Sequence, residues 1–359
     1  MPEPLLPAPP LDLLGLTCAE LAGELKRRHG KGMYHAAALA REVFKRGSPT
    51  PLAAPEFVRS PVLAACLARE IRGPDCRITA RQEDGEVRKF ATTLADGAVI
   101  ETVIIPARGR TTLCVSSQVG CRMGCRFCAT GALGFSRDLT AAEIVWQVLA
   151  ARFELGAPVD NLVFMGMGEP LDNFDRLMQA LRVLGDPHGL GFGPRRITVS
   201  TAGHVEGIRR LAAQAPAGLH LAVSLNAADN GLRSALMPIN RRYPLEVLRE
   251  ALASYPLPKG GVFLIEYVLL AGLNDSREQA HRLAVFLGDL PARVNVIGYN
   301  GGAGGATLFT PPSAEDVRRF CHWLAEEKVF VRARASRGGG IRAACGQLGA
   351  RVKGPGGAG

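Results

Sequence analysis

The chain has 359 residues, 47% hydrophobic and 21% charged: enough for one large or two ordinary globular domains, and too apolar for intrinsic disorder. Lys and Arg outnumber Asp and Glu by 43 to 33, and the resulting net charge of +10 favours a polyanionic partner such as nucleic acid. No apolar run reaches the ~18 residues of a membrane span, and nine cysteines do not suggest a secreted disulfide framework, so a soluble, cytoplasmic protein with reduced thiols is expected.

The start, "MPEPLLPAPPLDLLGL", is Pro-rich and acidic, which makes a poor signal peptide. Three stretches then predict helices: "TCAELAGELKRRHG" (17–30), "YHAAALAREVFKRG" (34–47) and "SPVLAACLAREI" (60–71). Strand-like pieces follow in "CRITARQEDGEVRKFATTL" and "AVIETVIIP", ending a helical module with a small β element over 1–105. From residue 111 short apolar runs alternate with amphipathic helices: "TTLCVSS", "NLVFMGM", "RITVST", "LHLAVSL", "VFLIEYVLL", "VNVIGYN" and "VFVRARAS". Thr140 with Glu143 predicts a capping box opening a helix that repeats Ile144, Val148 and Leu155 on one face. Ser313 with Asp316 opens another. Such alternation implies an α/β core over 106–350 with a parallel sheet, read as a partial (β/α) barrel, and it places functional residues in loops after strands. The Gly-rich stretches 301–307 and 337–340 read as mobile loops and 351–359 as a disordered tail.

The loop "CVSSQVGCRMGCRFCATG" (114–131) concentrates four thiols just past the first of these strands. Cys121, Cys125 and Cys128 form C-x3-C-x2-C. Three thiolates can hold three irons of a 4Fe–4S cluster and leave the fourth iron open, whereas a ferredoxin-type site needs a fourth cysteine. Zinc needs four N or S ligands, and no nearby His completes a set. An open iron suits chelation by an amino acid, and S-adenosylmethionine presents an amino group and a carboxylate. Phe127, in "CRFC", and the strand–helix alternation downstream make the loop resemble that of the radical S-adenosylmethionine (radical SAM) superfamily, and "MGMGEP" (165–170) resembles its glycine–glutamate motif. Cys114 stands outside the cluster spacing, and Cys345 is isolated in "AACGQL" (343–348). Together "TLCVSSQVGC", "CRFCATG", "MGMGEP", "STAG", "IEYVLL", "NDS" and "AACGQL" resemble the RlmN/Cfr family of RNA methyltransferases, from about residue 10 to 350.

That resemblance implies one 4Fe–4S cluster on Cys121, Cys125 and Cys128 and two S-adenosylmethionine molecules per turnover. It implies cofactor contacts at Gly168, Glu169, Ser200, Ser224, Leu225, Asn226 and Asn300. Cys345 would carry a methyl group and attach through it to an adenine ring carbon, Cys114 would resolve the adduct through a transient disulfide, and Glu101 would accept a proton. The expected target is carbon 2 of an adenosine in 23S rRNA, possibly tRNA as well, with an external electron donor such as flavodoxin, an RNA-recognising N-terminal domain and a monomeric state. A paralogue acting on carbon 8 or on another RNA fits the same motifs. A different class, an iron–sulfur redox or sensor protein, would need a fourth ligand and would have no use for "MGMGEP". Three departures lie on the substrate side: Asn226 stands where the family has His, "GYNGGAGGATLF" replaces a Trp/Tyr-Asn-Pro segment, and "RGGGIR" lacks the usual acidic residues. Basic pairs such as Lys45–Arg46, Arg195–Arg196 and Arg241–Arg242 could contact phosphates.

Overall fold

The structure, a computed structural model, describes residues 10–301, 308–334 and 338–349. The expected tail, 351–359, and most of the first Gly-rich stretch lie outside the described residues. Ten strands hydrogen-bond into one sheet: β1 (Arg77–Asp84), β2 (Val87–Thr93), β3 (Val99–Ala107), β4 (Arg110–Cys114), β5 (Val159–Phe164), β6 (Ile197–Thr201), β7 (His220–Ser224), β8 (Phe263–Leu269), β9 (Ala292–Gly298) and β10 (Val331–Arg334). Strands β1 to β4 pair antiparallel through tight turns. From β4 to β10 every pairing is parallel. Their spatial order is their chain order. A doubly wound sheet would reverse that order at a switch point. The sequential parallel run is that of a (β/α) barrel, here partial, because β1 and β10 end the sheet.

Burial follows position in the sheet. All five residues of β6 are buried, as expected of a parallel strand covered on both faces. In β8 the buried Phe263, Ile265, Tyr267 and Leu269 form the core, each apolar side chain contributing about 1.5–3 kcal/mol. The edge strand β1 exposes Arg81, Gln82, Glu83 and Asp84, charges and amides that discourage further pairing.

Two compact units divide the chain, and they are not contiguous. One gathers residues 1–76, 140–156 and 175–192; the other holds the whole sheet. The first unit contains the predicted helices as Cys18–His29, Met33–Ala40 and Pro61–Glu70, together with Ala141–Leu149, which follows β4 in the chain. Both predicted capping boxes form, Thr140 with Glu143 and Ser313 with Asp316. Past Leu149 the helix loosens into a π turn, Ala150–Glu154, so Leu155 stands beyond the regular helix rather than on its apolar face. The residue 77–107 strands belong with the sheet, and residue 105 falls inside β3. Among the described residues no helix is long and apolar enough to cross a membrane.

Candidate active site

After β4 the chain makes a short strand, Gln118–Gly120, which pairs antiparallel with Phe135–Asp138 and pinches a loop at its base. The cysteine triplet occupies that loop. Cys121 N–H donates to Gly134 O (2.8 Å) and Cys128 N–H to Cys125 O (3.1 Å), so the loop is shaped by its own backbone. Cys121, Cys125 and Cys128 all line one cleft in the sheet-bearing unit. Burial pushes the Cys121 thiol up to about 12 and the Cys125 thiol well above its ordinary value, the neighbouring thiols adding their repulsion. Thiols so held shed their protons when a cation replaces them. Among the described residues no three His, Cys, Asp or Glu side chains converge on a point for a single metal ion. A cubane asks for something else, one thiolate on each of three separate irons.

Opposite the loop stands the "MGMGEP" turn after β5. Gly168 has φ +101°, and a Cβ there would meet Gln118 Cβ at 2.6 Å, so only glycine lets this turn close on the strand below. Glu169 N–H donates to Gln118 Oε1 (2.8 Å). The Glu169 carboxylate is buried and accepts from Leu171 N–H (3.1 Å) and Ala202 N–H (2.7 Å). Among the described residues it has no ion-pair partner. Burial raises its pKa to about 7, against the pull of the Ala202 amide and the Thr201 hydroxyl. A buried carboxylate facing a cleft and lacking a cation suits an amino acid's ammonium, so these residues fit both cluster and S-adenosylmethionine.

Ser200, Ser224 and Asn226 also line the cleft, from the ends of β6 and β7; Leu225 and Asn300 do not. Leu225 is fully buried, its N–H donating to Glu266 O (3.0 Å). Asn226 adopts φ +60°, a left-handed conformation that Asn tolerates better than most residues. Its Oδ1 accepts from Val268 N–H (2.8 Å) and its Nδ2 approaches Met237 Sδ (3.2 Å), so both ends of the amide are engaged within the protein. Asn300 meets the site through its backbone, its O accepting from Gln347 Nε2 (3.5 Å).

The segment carrying Cys345 packs on the cysteine loop. Ala129 N–H donates to Gly346 O (2.7 Å) and Thr130 Oγ1 to Leu348 O (2.7 Å). Cys345 is exposed to the cleft, whose walls push its thiol up to about 11, with the Glu266 charge adding to the effect. Cys114 is buried at the end of β4 and is not among the residues lining the cleft; burial pushes its thiol up further, with Cys345 adding to the effect. Glu101 lies beside this row in mid-β3, buried and ion-paired to Lys89 Nζ (2.7 Å). Its other oxygen accepts from Gly349 N–H (2.5 Å), and Ser116 Oγ ties the Glu101 carbonyl (2.7 Å) to Met167 N–H (2.9 Å). Sequence reasoning missed Lys89, Gln118, Glu266 and Arg233, each buried within or against this assembly.

Residues 115–284 match the Radical SAM superfamily, the class that the barrel and the cysteine loop define. The crystal structure of a radical SAM methyltransferase from Sphaerobacter thermophilus superposes with a TM-score of 0.87 at 40% identity, covering 95% of this chain and 100% of that one. The sequence is 49% identical over 269 residues to the dual-specificity RNA methyltransferase RlmN of Syntrophobacter fumaroxidans, spanning 74% of this chain and 78% of that protein. It is 43% identical to the Geobacter sulfurreducens protein of the same name, spanning 94% and 92%. The chain belongs to the RlmN family. It is a radical SAM RNA methyltransferase, with S-adenosylmethionine and an iron–sulfur cluster as cofactors and RNA as substrate.

Proposed function

We propose that this enzyme methylates carbon 2 of an adenosine in 23S rRNA, and an adenosine in tRNA as a second substrate, through an S-methylated Cys345. The observation that carries the reading is the docking of the Cys345 turn on the cysteine loop, Gly346 O on Ala129 N–H at 2.7 Å. The names of the relatives, dual-specificity RNA methyltransferases, support two RNA classes. When bound, the cluster and two S-adenosylmethionine molecules per turnover supply the electron, the methyl group and the hydrogen-abstracting radical. Cys121, Cys125 and Cys128 hold the cluster, and Glu169 holds the ammonium of S-adenosylmethionine.

Cys345 Sγ takes the methyl group; the methyl carbon gives up one hydrogen atom to the radical and bonds to the electron-poor adenine ring, and the odd electron left on the ring would return to the cluster, which supplied one at the start. Glu101, ion-paired to Lys89, accepts the ring proton. Cys114 then attacks Cys345 Sγ as a thiolate: the S–S bond forms, the S–C bond breaks, and the carbon keeps the electron pair and takes a proton to become methyl. An external donor of flavodoxin type would supply the electron for the cluster, and two-electron exchange with an external dithiol restores both thiols. The segment "RGGGIR" before Cys345, which lacks the family's usual acidic residues, leaves carbon 8 as the rival position, and one experiment separates the two. Anaerobically reconstituted enzyme is offered 23S rRNA fragments and tRNA, and the nucleosides are resolved against 2-methyl- and 8-methyladenosine. Only 2-methyladenosine, in both RNAs, meets the proposal; 8-methyladenosine, or product in neither RNA, overturns it.

A further inference from the structure

Arg233, on the helix Asn230–Leu236 after β7, is the bulkiest fully buried side chain among the described residues. A guanidinium withdrawn from water normally finds a carboxylate. Among the described residues this one does not: Nε donates to Leu225 O (3.1 Å), Nη1 to Asn240 Oδ1 (2.8 Å) and Nη2 to Ala202 O (2.7 Å). All three acceptors are neutral dipoles, so the charge is hydrogen-bonded yet uncompensated. Two of them belong to the turns after β6 and β7 that line the cofactor cleft. Asn240 is itself fixed, its Nδ2 donating to Asn230 O (3.2 Å), Asn230 Oδ1 (3.0 Å) and Ser234 Oγ (2.8 Å). Room for the guanidinium is reserved by Gly203, φ +100°, where a Cβ would stand 2.9 Å from Nη2.

The same helix touches the cysteine loop. Arg126 N–H donates to Leu236 O (2.9 Å), and a Cβ on Gly124 would lie 3.7 Å from Pro238 Cγ. Cys125 lines the same cleft as Ala202, whose carbonyl holds Arg233 Nη2. Reducing a cluster held by three thiolates adds one more negative charge, and cluster potentials respond to net charge and burial around them.

We propose that Arg233 is a positioning residue with an electrostatic role: its three hydrogen bonds fix the turns after β6 and β7, and its uncompensated charge behind Cys125 favours the reduced state of the cluster. This rests on Cys121, Cys125 and Cys128 being the cluster ligands. Three full-length variants test it after anaerobic reconstitution, read by redox titration of the cluster signal and by equilibrium binding of S-adenosylmethionine. Arg233→Met, which loses charge and fork, lowers the ratio of reduced to oxidised cluster at a fixed poise about tenfold, a shift of about 59 mV for one electron, and weakens S-adenosylmethionine binding about tenfold. Arg233→Lys keeps the charge but cannot span three acceptors, so binding weakens while the ratio stays near that of the parent. Asn240→Asp sets a carboxylate on Nη1 and neutralises the charge with Arg233 still in place; it also gives up the bonds that Nδ2 donates to Asn230 and Ser234, so its readout is the ratio alone, which falls. Should Arg233→Met fail to fold, Asn240→Asp decides alone. A parental ratio in Asn240→Asp overturns the electrostatic role, and parental binding in Arg233→Lys overturns the positioning role. If Cys125→Ala keeps its full iron, the ligand assignment fails instead, and that result is distinct from either of the others.

Discussion

In the parallel part of the sheet, β4 to β7, the proposed cofactor residues stand at or just past strand ends and are aimed by turns: the cysteine loop, Gly168–Glu169, Ser200, Asn226. In the antiparallel part, Lys89 and Glu101 meet in mid-strand, placed by pairing register. Lys89 lies opposite Val103, and Val103 opposite Cys114, so Lys89 and the thiol share one row across three strands, with Glu101 two residues from Val103 along β3, opposite Ala91. Cys114 is where the two parts join, paired with β3 on one side and β5 on the other. A turn-built site depends on a few local residues, glycine among them. A register-built site depends on long-range pairing and on buried partners that satisfy each other. The two should therefore break differently.

The largest effect falls on the turn-built side. Cys125→Ala should reduce iron from about four per chain to almost none and abolish S-adenosylmethionine cleavage, with the melting temperature of the cluster-free protein nearly unchanged, since the sheet core is apolar. Next comes the register-built pair. Lys89→Met leaves Glu101 buried and unpaired and should cost about 3–5 kcal/mol in denaturant unfolding, of which adding Glu101→Gln should restore most. If Lys89→Met unfolds like the parent, the pair is not what holds the two strands' buried faces together.

Smaller in scale, Glu169→Gln should weaken S-adenosylmethionine binding about ten- to a hundredfold, the worth of a charge-assisted hydrogen bond of about 1.5–3 kcal/mol, with iron retained. Its raised pKa, about 7, adds a pH signature. Only the ionised carboxylate pairs with an ammonium, so affinity in the parent should fall about tenfold per unit as pH drops below 7. The Gln variant should lose that slope. Last, Ser313→Ala removes a helix cap in the parallel part that touches no cofactor residue; it should cost about 1 kcal/mol of stability and leave binding untouched.

Much of the turn-built half was legible in the sequence, because each part announces itself locally: the C-x3-C-x2-C spacing, the glycines before Glu169, the Thr140 and Ser313 boxes, the apolar runs of seven parallel strands. The register-built half was not. Lys89 sits in "EVRKFATTL", where it reads as a solvated strand charge, and its partner is 12 residues on through a turn. Arg233 in "GLRSALMPIN" looks like any helix arginine, and its acceptors are backbone carbonyls that no residue type signals. Asn226 read as a cofactor contact, but its positive φ and its bond to Val268 N–H show a residue with a structural duty as well. Burial of polar groups is settled by tertiary packing, and a local pattern carries little of it.

The central claim, that Cys345 carries the carbon and Cys114 releases it, is tested most directly by comparing Cys114→Ala with Cys345→Ala on RNA under turnover conditions and denaturing electrophoresis. Cys345→Ala has no sulfur to bond to RNA and should give free RNA, unmethylated. Cys114→Ala can still take up the methyl group and attack adenine, and should accumulate an RNA-linked protein band that survives denaturation. Identical behaviour of the two variants, or methylated RNA from either, would contradict the account.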